Sequence, residues 1–135
     1  MFRLEKVPGK GRGLLASGPI TAGTCLERAP AVSLTAEDRR QLDRTGFFPY
    51  YFADPRTSEE DAAPPDAPDG PAALVAFGLL TFCNHAASPN AEVRWEDDDV
   101  GLWALLVALQ DIAAGEEITL FYTNISEYSA ANLFI

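Results

Sequence analysis

The chain has 135 residues, 47% of them hydrophobic, which predicts a single soluble globular domain with a modest core. Its 20 acidic and 10 basic residues give a net charge of −10, which argues against a direct nucleic-acid partner. No apolar run approaches the roughly 18 residues that a membrane helix needs, and the N-terminal residues lack a signal-peptide core. We therefore expect no membrane span and no secretion.

Short strands and turns are predicted for the first quarter of the chain. The alternation in "FRLEKV" (2–7) indicates a strand, and the glycines of "PGKGRG" (8–13) indicate a turn. The segment "LLAS" (14–17) is again strand-like. After a further turn, "CLERAPAVSL" (25–34) predicts more extended structure.

The middle of the chain combines a helix, an aromatic cluster and an acidic loop. Thr35 can cap a helix over "AEDRRQLDR" (36–44), which Gly46 would end. The aromatic cluster, which we expect to be mostly core, consists of Phe47, Phe48, Tyr50, Tyr51 and Phe52. The Pro-rich acidic loop (54–70) is the only low-complexity stretch. This loop and "EDDD" (96–99) are either solvated segments or acidic surfaces that attract a basic peptide electrostatically.

The last part of the chain predicts a hairpin and a final strand. The segment "PAALVAFGLLTF" (71–82) is either a short helix or a buried strand, because periodicity alone does not separate the two. Two strand-like segments, 91–96 and 101–110, flank an acidic turn as in a hairpin. A glycine turn and a strand follow within 111–122. The fold is therefore predicted to be mainly β with a small α component.

The polar side chains of "FCNHAASPNAE" (82–92) follow directly after an apolar run. Asn84, His85 and Asn90 stand there, and His85 is the only histidine of the chain. Amide and imidazole groups avoid such places unless they find hydrogen-bond partners. A lone histidine is more often structural than a catalytic base, so this segment predicts a polar site that His85 orients.

The two cysteines do not predict a metal site. Cys25 and Cys83 lie far apart and lack the paired spacing of zinc ligands. His85 beside Cys83 would have no further ligands. We predict two reduced core thiols and no metal, while a disulfide stays open.

Three segments together resemble the SET domain of protein lysine methyltransferases. They are "GKGRGLLA" (9–16), "LLTFCNHAASPNAEV" (79–93) and "IAAGEEITLFY" (112–122). The family has a Gly-x-Gly turn, an Asn-His-x-x-x-Pro-Asn segment and Gly-Glu-Glu-(Leu/Ile)-Thr-x-x-Tyr in this order. The resemblance extends from Arg3 to about Tyr122 and is greatest to compact, stand-alone bacterial and viral SET proteins.

The resemblance implies a SET fold of short curved sheets with a C-terminal pseudoknot, in a single domain over 1–135. Residues 1–34 would be the N-terminal SET part and 35–73 a variable insert with the acidic loop. Residues 74–122 would be the C-terminal SET part with the pseudoknot, which Asn90 would help to pin. Residues 123–135 would form a tail that closes the site.

The function implied by the resemblance is methyl transfer from S-adenosyl-L-methionine to a lysine of a basic protein or peptide. Tyr122 takes the position of the catalytic tyrosine. In-line attack by a neutral lysine amine needs alignment and desolvation rather than a metal. The implied cofactor-binding residues are Lys10, Gly11, Arg12, Asn84, His85 and Tyr128.

Several positions depart from the family or carry further expectations. Leu120 stands where the family commonly has Phe or Tyr. That aromatic residue limits how many methyl groups are added, so with Leu120 in its place we expect products beyond monomethyl-lysine. Glu116 and Glu117 are adjacent and diverge, so they are not an acid–base pair, and Glu117 is expected to hydrogen-bond locally. The tail lacks the family's Cys-x-Cys cluster. Its apolar end is expected to dock over the adenine or against a second copy, as in a homodimer.

Two other functions stay open from the sequence. One is a catalytically silent SET-like module that binds a basic partner, and the other is an interaction domain that binds no cofactor. The expected location is the cytoplasm for a bacterial protein, or the chromatin of a host nucleus for a viral or eukaryotic one.

Overall fold

The computed structural model describes residues 1–47, 50–53 and 72–122. The elements within these ranges are mostly short strands, which confirms the prediction of a mainly β chain. In chain order they are β1 (Phe2–Val7), β2 (Gly11–Ala16), β3 (Cys25–Leu34), α1 (Ala36–Leu42), β4 (Phe52–Ala53), β5 (Ala73–Ala76), a 3-10 helix (Leu79–Phe82), β6 (Asn84–His85), β7 (Ala91–Asp97), β8 (Leu102–Ala108) and β9 (Glu117–Leu120). In the described part of the chain, no helix has both the length and the apolar character to cross a membrane.

The smaller sheet brings the three conspicuous sequence segments together. Its strand order is β1-β2-β9-β6. β2 pairs antiparallel with β9, with Leu14 opposite Ile118. On the other edge of β9, β6 pairs in parallel, with Asn84 opposite Thr119. The last strand therefore lies between the strand that follows the glycine turn and the Asn-His segment.

The larger sheet has the order β4-β5-β3-β8-β7 and is antiparallel throughout. β7 and β8 form the predicted hairpin, from Ala91 opposite Ala108 to Asp97 opposite Leu102. Asp98 holds the hairpin turn, because its carboxylate accepts from the amides of Val100 and Gly101 and from the Trp103 indole. Part of the acidic "EDDD" run is therefore structural.

One hydrophobic core contains side chains from both sheets. Its fully buried members include Leu14 of β2, Leu106 of β8 and Ile118 of β9. Leu80 of the 3-10 helix is also fully buried, so the turn that leads to the Asn-His segment is fixed to the core. Packing of this kind holds the site's backbone in one conformation.

The predicted helix and the ambiguous apolar segment differ in detail from expectation. Thr35 caps α1 through a capping box with Asp38, as predicted, but the helix ends at Leu42 rather than near Gly46. The Thr45 hydroxyl donates to the Leu42 carbonyl at 2.7 Å and so closes the helix early. The apolar segment 71–82 contains both β5 and the 3-10 helix, so neither single alternative was right.

Two predictions of burial were partly wrong. Cys25 and Cys83 are both free thiols, but Cys25 is exposed at the start of β3, where a bulge interrupts the pairing with β8. Within the aromatic cluster Tyr51 is buried and Phe52 packs on the core, whereas Phe47 and Tyr50 are exposed. Aromatic composition alone did not show which rings the small core could cover. The predictions for Phe48, the acidic loop at 54–70 and the tail at 123–135 concern residues outside the described ranges.

Candidate active site

Asn84 connects the glycine turn to the last strand. Its side chain is buried, and its amide nitrogen donates to the Arg12 carbonyl at 3.2 Å and to Glu117 Oε2 at 2.7 Å. Both partners are acceptors, so the orientation of the amide is fixed. Among the described residues, none donates to Asn84 Oδ1. That oxygen is therefore the polar atom that Asn84 offers to a ligand.

The turn between β1 and β2 packs closely against this amide. Gly11 has φ of 78°, a conformation that glycine adopts at little cost. A Cβ on Gly13 would lie 2.8 Å from Asn84 Nδ2 and equally close to Glu117 Oε2. Gly11 thus allows the turn, and Gly13 allows the close approach of Asn84 and Glu117. Lys10 Nζ lies 3.3 Å from Glu117 Oε1 and completes the link.

Arg12 presents its guanidinium group beside the same turn. The guanidinium carbon lies 4.5 Å from the centroid of the Phe82 ring, a cation–π distance. The Tyr50 ring meets Phe82 edge-on at 5.8 Å. Within the described ranges no carboxylate forms an ion pair with Arg12, so its positive charge is available to an anionic group.

His85 orients the chain at Tyr122. It is buried, and its Nδ1 accepts from the Tyr122 backbone amide at 2.8 Å. Burial lowers the pKa of His85, and Lys10 adds to this effect. An accepting Nδ1 requires the neutral ring with its proton on Nε2. This geometry agrees with the expectation that His85 orients and packs.

The hydroxyl of Tyr122 donates to the carbonyl oxygen of Cys83, which directly precedes the Asn-His pair. A phenol oxygen and a carbonyl oxygen therefore lie side by side at the end of β9. Burial, followed by the nearby charges of Glu27 and Glu117, raises the pKa of the Cys83 thiol. Cys83 is thus kept as a neutral thiol and contributes its carbonyl rather than a nucleophile.

Asn90 ties the segment between β6 and β7 to β9. Its side-chain amide donates to the Glu117 carbonyl at 2.8 Å and accepts from the Thr119 amide at 2.9 Å. Its backbone amide donates to the Thr119 hydroxyl at 3.3 Å. These bonds hold the start of β7 against β9.

Two glutamates of the site were not found by sequence reasoning. Glu117 was expected to bond locally, which is wrong, because it bonds to Asn84 and Lys10. The local bond belongs to Glu116, which accepts from the Ala113 amide at 2.9 Å. Glu27 accepts from the amides of Leu79 and Leu80 and so anchors the 3-10 helix before Cys83. The only feature of the sequence that pointed to Glu27 is that an acidic residue stands in the otherwise largely apolar strand β3.

The donor set fits S-adenosylmethionine. Asn84 Oδ1 would accept from its ammonium group, and the Arg12 guanidinium would pair with its carboxylate. The structure brings together Lys10, Gly11, Arg12, Asn84, His85 and Tyr122, whereas Tyr128 lies outside the described residues. Within the described ranges no cluster of three His, Cys, Asp or Glu side chains could hold a metal ion.

Comparison with known proteins agrees with this arrangement. The SET domain family matches residues 11–123. The chain is similar to the histone-lysine N-methyltransferase, H3 lysine-37 specific, of Schizosaccharomyces pombe, with 26% identity over 84% of this chain and 67% of that protein. It is also similar to the mouse protein-lysine N-trimethyltransferase SMYD5, with 34% identity over 90% of this chain. The chain spans only 26% of the length of SMYD5.

A solved structure shows the same fold. The SET domain protein DIM-5 of Neurospora, a histone lysine methyltransferase, superposes with a TM-score of 0.63 at 22% identity. The match covers 91% of this chain and 52% of the DIM-5 chain. The SET fold predicted from the three sequence segments is thereby confirmed. The family match extends over most of the chain and includes β2, the Asn-His segment and Tyr122, so the protein belongs to the SET-domain family.

Proposed function

We propose that this protein is a lysine methyltransferase that transfers a methyl group from S-adenosylmethionine to a lysine side chain of a protein substrate. The observation that carries the proposal is the Tyr122 hydroxyl bonded to the Cys83 carbonyl, directly beside the Asn84 and His85 pair. The S. pombe and mouse relatives, both named as lysine methyltransferases, support the same reaction.

S-adenosylmethionine supplies, when bound, a methyl group already activated by the sulfonium. The protein must align and desolvate the amine that attacks it. The Tyr122 hydroxyl proton is committed to the Cys83 carbonyl, so the phenol oxygen has lone pairs left for other donors. Two neighbouring oxygens can orient a polarised methyl by weak C–H···O contacts and accept from the lysine nitrogen.

The attacking lysine must lose its proton before transfer. A free lysine has a pKa of about 10.4, and both burial and a nearby cation lower it. His85 is not suited to take that proton through Nδ1, because Nδ1 already accepts from the Tyr122 amide. His85 therefore positions Tyr122, and the proton of the amine passes to water before methyl transfer.

A methyl-transfer assay with and without the tyrosine hydroxyl tests the proposal. Labelled S-adenosylmethionine is incubated with histones and with a lysate, and transfer to lysine is measured by mass spectrometry. Tyr122→Phe should lower turnover at least about 100-fold, roughly 2.7 kcal/mol, while cofactor binding persists. Tyr51→Phe is the matched control, because that hydroxyl bonds to Asp43, outside the site.

Near-normal turnover by Tyr122→Phe would overturn the catalytic assignment. Cofactor binding without transfer to any lysine-rich protein would favour the silent module instead.

The substrate is proposed to be a basic protein segment, since the chain carries a net charge of −10. A histone tail is one such segment, and histone H3 is the substrate named for the S. pombe relative. An apparent KM that rises with salt would support this charge complementarity, because screening weakens it. A homodimer and the cellular location, cytoplasm or chromatin, stay predictions.

A further inference from the structure

We propose that Glu117 is a positioning residue for the cofactor. One of its carboxylate oxygens bonds to Asn84 and the other to Lys10, and these two contacts orient Asn84 Oδ1 toward the ligand. The proposal rests on the proposed function, since the ligand in question is S-adenosylmethionine.

The two contacts of Glu117 join three separate elements. Glu117 opens β9, Asn84 lies on β6, and Lys10 belongs to the turn before β2. One carboxylate oxygen accepts from Asn84 Nδ2 at 2.7 Å and the other from Lys10 Nζ at 3.3 Å. The Lys10 and Glu117 side chains are only 23% and 19% exposed, so salt should screen this pair less than a surface pair.

Only a carboxylate satisfies both neighbours. Lys10 and the amino group of Asn84 are donors, so position 117 must offer two acceptors at once. A glutamine has one acceptor and one donor, and its oxygen would bond preferentially to the charged ammonium. Its amino group would then face the amino group of Asn84. The Asn84 amide would have to turn over and point its donor, not Oδ1, at the cofactor's ammonium group.

Crowding at Gly13 leaves little room for another solution. An atom at its Cβ position would be 2.8 Å from both Asn84 Nδ2 and Glu117 Oε2, so the two side chains fill the space above the turn. The amide cannot move away from Glu117 without also losing its bond to the Arg12 carbonyl. The two acceptor oxygens of Glu117 therefore decide how Asn84 Oδ1 is presented.

The test measures binding of S-adenosylhomocysteine, the demethylated cofactor, by titration calorimetry. Glu117→Gln should raise its dissociation constant at least about tenfold, which equals about 1.4 kcal/mol. Lys10→Met should have a smaller effect, because Asn84 keeps its carboxylate partner. The double variant Lys10→Met/Glu117→Gln should bind more tightly than Glu117→Gln alone, since the glutamine oxygen is then free to accept from Asn84.

This recovery separates positioning from a merely structural role, because loss of a structural ion pair would leave the double variant no better a binder than Glu117→Gln alone. In turnover, Glu117→Gln should raise KM for the cofactor and leave kcat at saturation within about twofold. Glu116→Gln is the matched control and should bind like the wild type, since among the described residues the Glu116 carboxylate bonds only to the nearby Ala113 amide. Unchanged affinity in Glu117→Gln, or a double variant that binds no better than it, would overturn the inference.

The same titrations distinguish this inference from the proposed function. A wild-type protein that binds neither S-adenosylmethionine nor its product would overturn both. A wild-type protein that binds, with Glu117→Gln binding equally well, would overturn only the positioning role.

Discussion

Replacing Asn90 tests whether the segment before β7 is held against β9 by a single side chain. Asn90→Ala removes the acceptor of the Thr119 amide and the donor to the Glu117 carbonyl, at 2.9 and 2.8 Å. Asn90 is only 5% exposed, so solvent cannot easily replace these partners. An unsatisfied buried backbone group costs about 1–3 kcal/mol, and two of them predict a loss of about 2–4 kcal/mol after relaxation. That is a large part of the roughly 5–15 kcal/mol that stabilises a domain.

Urea unfolding measures this loss directly. For a denaturant dependence of about 1–3 kcal/mol per molar, the Asn90→Ala midpoint should fall by roughly 1–2 M. Thr119→Val is the control, because it removes only hydroxyl contacts of 3.3 and 3.4 Å and keeps the two short bonds. It leaves one backbone donor, the Asn90 amide, without its 3.3 Å partner, so it should cost about 1 kcal/mol, clearly less than Asn90→Ala. Equal midpoints for Asn90→Ala and wild type would refute the reasoning.

Three further predictions concern pH, product and the hairpin. Because the pKa of His85 is lowered in the fold, the unfolded chain takes up a proton first as the pH falls. The free energy of unfolding should therefore decline as pH falls below about 6.5 and through the folded pKa. In His85→Gln the urea midpoint should change less between pH 7 and 5 than in the wild type, and an unchanged pH dependence would contradict this. Leu120 lacks a hydroxyl to restrain the amine, so mass spectrometry should find more than monomethyl-lysine, and Leu120→Tyr should shift the product toward one methyl. Trp103 and three other donors hold the pKa of Asp98 at about 2, so Asp98→Ala should speed hydrogen exchange of the turn amides without changing cofactor affinity.

Local patterns predicted the strands and the backbone of the site. The strand at 25–34 and the hairpin around the acidic turn were found because alternation and turn residues are local signals. The order of the three motifs predicted that Asn84, His85 and Tyr122 would meet, and the structure places them together. Their roles in binding and catalysis stay predictions until variants are measured.

Long-range contacts account for most of what the sequence did not predict. Glu117 lies 107 positions from Lys10 and 33 from Asn84, so no local pattern links them. Glu27 likewise bonds to amides more than 50 positions away. For Glu117 the sequence predicted a locally bonded carboxylate, and only the packing of strands against each other decided otherwise.

The position of β9 has a consequence for the order in which the protein assembles. The two hairpins, β1–β2 and β7–β8, join neighbouring segments and can form early. The pairing of Leu14 with Ile118 closes nearly the whole described chain, which makes it entropically costly and late. Until β9 is synthesised, β2 has an open edge and Asn84 has no carboxylate partner. A nascent chain should therefore gain its cofactor site as one of the last steps of folding, and that open edge is where premature strand pairing with another chain would begin.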